Sequence, residues 1–192
     1  MRSRFADLHS FSVYQKLGVM ARTTTPPPHD TLVLNDMTGW TEAEPFPRGH
    51  TKHSFISGRK DSLAIRVRYF EKKAENRFAA RAWFGPESEG PPGHAHGGSQ
   101  ASLLDEGMGA AAWISGHPVL AVKLEINFRA SLPLHTLVTM RSEITKVDGR
   151  KVFVKAELAG DDGAVFSEST GIFLEIDTKE LIEKVRKAAG QS

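Results

Sequence analysis

Two groups of residues in this chain have the types and spacing to do chemistry. The first is His94-Ala95-His96-Gly97-Gly98, which opens a proline-free stretch rich in Ala, Leu and Met from Gly97 to Ser115. That composition predicts a helix, and a helix N-terminus offers unpaired N–H groups and a dipole that favour a negative oxygen. Gly97 and Gly98 lack Cβ, so a carbonyl can approach the backbone closely there. The second group is Asp105-Glu106, midway along the same stretch. Asp105 shares a helical stripe with Ala101, Met108 and Ala112. A carboxylate on so apolar a face is costly unless it is paired or solvated in a cleft, and its pKa tends to rise. Asp105 is therefore a candidate base, the alternative being an interface carboxylate met by a basic partner. Glu106 lies about 100° further round with Ser102 and Trp113 and is the weaker candidate.

The helix start and Asp105 cannot serve one active site within one subunit. Nine residues separate His96 from Asp105, about 13 Å along a straight helix. A symmetric dimer with antiparallel helices would bring the amides of one protomer to the carboxylate of the other. Other chemistries fit less well. His94 and His96 in an H-x-H pattern, with His50 and His53, could suggest a metal, but no nearby carboxylate completes a motif and the glycines explain the site better, so no metal is expected. There is no GxxxxGK[ST], no strand–GxGxxG–helix and no G-x-S-x-G elbow. The chain has no cysteine, which excludes disulfides, thiolate zinc sites, iron–sulfur clusters and a cysteine nucleophile.

The elements that must position these residues follow from periodicity. Leu63, Ile65, Val67 and Tyr69 alternate with Arg66 and Arg68, a strand with one wet face. Glu71 to Asn76 reads as a turn into a second strand, Arg77 to Phe84. Gly85 to Gly93 cannot be helix or central strand. After the helix come four strand candidates: Val119 to Phe128, Leu137 to Val147, Lys151 to Ala159 and Ala164 to Ile176. Asp148-Gly149 and Asp161-Asp162-Gly163 supply the hairpin turns between the last three. Asp177 to Ala189 reads as a closing helix, with Asp177 and Glu180 as a capping box. The helix is apolar nearly all round and must be wrapped by the sheet. Two strands, a helix, four strands and a helix give an α+β domain with an antiparallel sheet.

The 192 residues fit one domain with an extension, and 40% hydrophobic with 25% charged residues suits a globular core. A net charge of +2 offers no field for nucleic acid, and no run approaches the roughly 20 apolar residues of a membrane span. Arg22 to Asp30 is polar and proline-stiffened, whereas Thr31 to Lys60 should pack over something as a mostly irregular arm. Phe11, Val13 and Leu17 could form a short amphipathic turn or helix. Met1 to Arg22 is basic enough for a transit peptide but has no apolar h-region. Lack of cysteine fits a reducing compartment, and a cytoplasmic location is the expectation, mitochondrial targeting the alternative. Trp40, Trp83 and Trp113 read as core.

The stretch GPESEGPPGHAHGGSQASLLDEGMGAAAW resembles the hotdog-fold acyl-CoA thioesterases of the PaaI type, closest to mitochondrial thioesterase-superfamily members of the carboxyl-terminal modulator protein kind. The resemblance continues through LEINFRASLPLHTLV, VDGRKVFV and VFSESTGIFLEI, covering roughly Asp61 to Asp177. It implies a long central helix wrapped by an antiparallel sheet, and a homodimer with one continuous sheet or a homotetramer. Residues 1–60 are then an N-terminal extension, 61–177 the hotdog domain and 178–192 a C-terminal helix. It further implies hydrolysis of a medium- to long-chain acyl-CoA to free acid and CoA, without metal or cofactor.

By resemblance, the Gly97 amide polarises the thioester carbonyl, the partner's Asp105 activates water or attacks directly, and His96 orients the turn. Contacts to the CoA substrate fall on Gly98, Asn127, Arg129, Arg150 and Lys151. Family members carry Thr or Ser seven positions before an aromatic residue on the next strand; counted from Phe128, that position is Ala121, which has no hydroxyl. A non-catalytic acyl-CoA or acyl-carrier binding protein is therefore the rival expectation, and a hotdog dehydratase a second, whose usual helix histidine-to-carboxylate arrangement is not found.

Overall fold

Alternation of apolar and polar side chains produces the strands, and one uninterrupted apolar helix fills the hollow they leave. In the computed structural model, which describes residues 25–44, 55–75 and 77–179, the order is β1 (Thr41–Ala43), β2 (Ile65–Lys72), β3 (Arg77–Phe84), α1 (Gly97–Ile114), β4 (Val119–Phe128), β5 (Leu137–Asp148), β6 (Lys151–Gly160) and β7 (Val165–Glu175). They form one seven-stranded sheet in the order β1-β2-β3-β5-β6-β7-β4, with every neighbouring pair antiparallel. The sheet wraps α1. Leu103, Leu104, Met108, Ala110 and Ala112 are wholly buried against Ala80, Ala82, Val138, Met140, Val152 and Leu158 from the strands.

Helix and sheet meet closely at Gly107. A Cβ there would stand 2.0 Å from Met140 Cε, and the Gly107 carbonyl accepts a 2.9 Å hydrogen bond from Ser142 Oγ. The Asp148-Gly149 turn joins β5 to β6 as expected, with Gly149 at φ +58°, which the tight hairpin demands. β3 and β4 have the limits read in the sequence, and the other strands differ from theirs by one to three residues. The first strand starts at Ile65 rather than Leu63 and runs through Lys72, so the turn into β3 shrinks to a single 3-10 turn at Lys73–Glu75.

The arm has a target. β3 is buried along both faces after its first residue, and residues 25–44 cover the face turned away from α1. Leu34 and Trp40 pack on Phe70 and Ala79, and Leu32 is wholly buried. Arg66 and Arg68 donate to the Pro27 and Asp30 carbonyls, both under 3 Å. Thr41–Ala43 pairs with the β2 edge as β1, a strand absent from the sequence reading. At the far edge of the sheet β4 has no strand beyond it among the described residues. Leu120, Val122 and Phe128 on this strand are more than half exposed, and Val122 sits in a bulge between Ala121 and Lys123. Of the closing helix expected from the sequence, Thr178 and Lys179 are described and helical, and the Asp177 carboxylate accepts the Lys179 N–H. The expectations for Met1–Arg22, His50, His53, Glu180 and the rest of the closing helix lie outside the described residues.

Candidate active site

The loop before α1 is fixed by its own backbone. Ala95 N–H donates to Leu132, His96 N–H to Ser88 and Gly90 N–H to His94, each within 2.9 Å. Gly90 passes so close that a Cβ would stand 2.8 Å from His96 Cα. Held this way, His96 becomes the N-cap of α1: its Nδ1 accepts the Gly98 N–H at 2.8 Å, and its carbonyl accepts the Ser99 N–H. Two glycine amides were expected as donors, but the ring of His96 occupies one. Gly98 therefore does not present its amide to a substrate. The Gly97 N–H has no acceptor among the described residues, and the Phe128 ring lies 3.0 Å from where a Gly97 Cβ would be. The site has one free amide, walled by an aromatic ring.

Asp105 is half-buried and has no hydrogen-bond or ion-pair partner among the described residues. Burial alone lifts its carboxyl above the usual aspartate range. It lies eight residues beyond Gly97, about 12 Å along the axis, so the two do not meet within one chain. Glu106, the weaker candidate on sequence grounds, is the better anchored. Its Oε1 accepts hydrogen bonds from the Tyr69 and Ser57 hydroxyls. Burial pushes its carboxyl up, those donors pull it back, and the charge of Asp105 pushes it up again. Tyr69 is buried, which, with Glu106 beside it, holds its phenolic proton well above the ordinary tyrosine value. Tyr69 and Ser57 were not among the residues singled out, because they lie 37 and 49 positions from Glu106.

The four other substrate contacts expected from the resemblance fall in two places. Asn127 lies at the C-terminal end of β4 and Arg129 just past it, where Arg129 pairs with Glu168 at 2.7 Å. Arg150 lies in the β5–β6 turn and donates to the Glu175 carbonyl, and Lys151 begins β6. Lys151 shares a row with Leu174 and Leu120, so seven residues of β4, about 23 Å, separate that row from Asn127. The side chain of Asn127 also faces away from Gly97. It sits in a row with Glu168, Glu157 and Arg141 and lines a cleft of about 630 Å³ on the sheet face opposite α1. Within one chain these residues do not gather around the thioester position. Ala121 lies exposed beside the β4 bulge. No group of three or more His, Asp or Glu among the described residues could hold a metal, and no helix among them is long and apolar enough to cross a membrane.

A single long helix wrapped by an antiparallel seven-stranded sheet is the hotdog fold. Residues 92–167, which hold the capped helix start and Asp105, match the family described as Thioesterase superfamily. Acyl-coenzyme A thioesterase THEM4 of Bos taurus is 32% identical over 127 residues, 66% of this chain and 52% of that protein. The chain thus spans about half the length of this curated relative. The crystal structure of a thioesterase superfamily protein superposes with a TM-score of 0.55 at 28% identity, covering 57% of this chain and 53% of that one. The PaaI protein of E. coli, from a phenylacetic acid degradation operon, has the same fold, with a TM-score of 0.53 at 16% identity over 60% of this chain and 81% of its own.

Proposed function

We propose that this chain hydrolyses acyl-CoA thioesters, of medium to long acyl chain, as a homodimer whose two active sites each draw on both subunits. One observation carries the reading: a thioesterase-superfamily helix that begins with an unpaired amide at Gly97 and holds an unpaired, half-buried carboxylate at Asp105. The thioester carbonyl oxygen accepts the Gly97 N–H. The partner subunit's Asp105 takes a proton from water as that water attacks the carbonyl carbon. The oxyanion that forms stays on the amide, and its collapse breaks the C–S bond, with the proton passing to the departing thiolate. A backbone donor aimed at an oxyanion is commonly worth about 3 kcal/mol in the transition state. A carboxylate is a useful base near neutral pH because its surroundings raise its proton affinity.

The free edge of β4 supports the dimer. Two such strands paired antiparallel would cover Leu120 and Val122, continue the sheet, and set the C-terminal end of each β4 beside the N-terminal end of the other. The same symmetry draws Arg129 of one protomer toward the turn carrying Arg150 and Lys151 in the other, a cationic setting suited to CoA phosphates. Names of relatives such as acyl-coenzyme A thioesterase THEM4 support the substrate class. A cytoplasmic location is proposed on the absence of cysteine alone. Ala121, lacking a hydroxyl, favours a second reading, an acyl-CoA-binding protein without turnover. A screen of acyl-CoA chain lengths with released thiol as readout separates the two. Turnover on at least one substrate is expected; tight binding of CoA esters with no thiol released would establish the second reading.

A further inference from the structure

Two buried polar side chains near the start of α1 have no partner. Gln100 is 3% exposed, its Oε1 is sealed from solvent, and its side chain makes no hydrogen bond among the described residues. Ser167 on β7 is wholly buried, and its hydroxyl is likewise unpaired there. Register and packing bring the two to one place. Met140, Leu158, Ser167 and Phe128 stand in one row across β5, β6, β7 and β4, and neighbours in a row share a face of the sheet. Met140 and Leu158 pack in the core with α1, so Ser167 faces α1 as well. Gly97 meets the Phe128 end of this row and Gly107 the Met140 end. Gln100 lies between these glycines on the stripe of Gly107. Its side chain therefore faces the middle of the row, where Ser167 is. Side chains on a helix lean toward its N-terminus, which carries the Gln100 amide back toward the turn that opens at Gly97.

Burying two such groups together is unfavourable unless something meets both. A group that does so accepts from the serine hydroxyl and donates to the amide oxygen, which a hydroxyl can do and an alkyl chain cannot. With a thioester carbonyl oxygen about 3 Å from the Gly97 nitrogen, the second and third acyl carbons come within about 6 Å of it, wherever the rest of the chain runs. A hydroxyl on either carbon is thus carried to the turn that the Gln100 amide leans toward. Phe128, beside Gly97 and more than half exposed, has room to move aside for it. A substituent farther along the chain is not held at this spot. We propose that Gln100 and Ser167 form a polar subsite beside the Gly97 amide, and that the preferred substrates are acyl-CoA esters hydroxylated on the second or third acyl carbon. The inference rests on the reading that an acyl-CoA binds with its carbonyl on Gly97, and it narrows which acyl groups that site takes.

The test compares thiol release by the full chain from decanoyl-CoA and from its 2-hydroxy and 3-hydroxy derivatives. One of the hydroxy esters should show a kcat/KM at least about tenfold above that of decanoyl-CoA, since a site built to pair a hydroxyl rejects the analogue that lacks it. In Gln100→Leu, apolar and of similar bulk, that ratio should fall back toward one. Ser167→Ala should lower it in the same direction, and it serves alone should the first variant fail to fold. A merely structural role for either residue would change all three esters together and leave the ratio where it was. A parent that favours decanoyl-CoA or treats the three esters alike overturns the proposal, as does a ratio unchanged in the folded variants; the two groups are then met by ordinary water. A parent that releases no thiol from any ester defeats the hydrolase reading instead. Calorimetry with the matching ketone analogues, a methylene replacing the thioester sulfur, then decides the subsite. The hydroxy analogue should bind at least about tenfold tighter than the plain one and lose that margin in Gln100→Leu; equal Kd values in the parent overturn the proposal.

Discussion

At the scale of single residues, the raised proton affinity of Asp105 has a consequence for stability as well as for chemistry. The folded chain keeps this proton to a higher pH than the unfolded chain does, because burial disfavours the charge. Between the two values the folded state binds more protons, so stability falls as pH rises through that window, and above it the full cost is present. Asp105→Asn is therefore expected to raise Tm at neutral pH while lowering kcat at least about a hundredfold, with CoA binding retained. Thermal unfolding and turnover on one preparation check both. Turnover near that of the parent would remove Asp105 from the mechanism, and a lowered Tm would contradict burial as the source of the shift. Ala121 is the complementary case. It is exposed beside the bulge in β4, so a larger side chain meets little resistance in the single chain. If the missing hydroxyl leaves water poorly held, Ala121→Thr should raise kcat at saturating acyl-CoA with little change in Tm. Overpacking at the subunit contact would instead cost ~1–3 kcal/mol and show as a fallen Tm. A folded Ala121→Thr with unchanged kcat would mean the hydroxyl is not needed here.

Among the elements, the arm meets the sheet at a polar contact as well as through its apolar side chains. Arg81 on β3, 4% exposed, makes a two-pronged ion pair with Asp161 in the β6–β7 turn, both contacts at 2.7 Å, and also donates to Thr139. Asn35 of the arm donates to the same carboxylate. Arg81, above all, holds the Asp161 carboxyl below the usual aspartate range. Asp161→Ala leaves a buried guanidinium without its counter-charge. The Asp161 side chain is 48% exposed, so water screens the pair and the expected loss is about 1–3 kcal/mol rather than that of a sealed pair. Because the folded value is depressed, this stabilisation is present above the unfolded aspartate value, about 3.9, and vanishes as pH falls through the folded one. Urea unfolding at pH 7 and pH 3 should show a gap between parent and variant that narrows at the lower pH; an equal gap at both would rule out the charge as its origin. The same region marks the limit of what the sequence discloses. Strands β2 to β7 were legible because alternation and Asp-Gly turns are local signals. Leu32, Leu34 and Trp40 announced burial but not their target, and β1 is three residues whose only reason to be a strand is the open edge of β2. In the site, Gly97 and Asp105 were legible by type and spacing on one helix. That the His96 ring would occupy the Gly98 amide depends on a side-chain rotamer. That Glu106 would meet Tyr69 and Ser57 depends on contacts across the sheet, which no spacing records.

For the whole molecule, the question is whether Gly97 and Asp105 work together across a subunit boundary, and two inactive variants can answer it. Gly97 is the first helical residue, where proline is well tolerated, and His96 before it has φ −62° and ψ 141°, a conformation proline accepts in its predecessor. Gly97→Pro thus deletes the free N–H while leaving the helix start in place, and Phe128, 54% exposed, has room to yield to the ring. Alone, Gly97→Pro should lose most of its turnover, as should Asp105→Asn. In a mixed dimer of the two, one site combines both defects. The other combines an intact amide from the Asp105→Asn subunit with an intact carboxylate from the Gly97→Pro subunit. Random exchange makes half of the dimers mixed, and one site in two is then whole, so unfolding and refolding an equimolar mixture should restore about one quarter of parental activity. Were each site built within a single subunit, every site in the mixture would carry one defect or the other, and refolding together would restore nothing. Sedimentation of the refolded mixture fixes the remaining alternative: recovered activity in a species of monomer mass would refute the shared site, and recovery confined to dimers or larger species is the expected result.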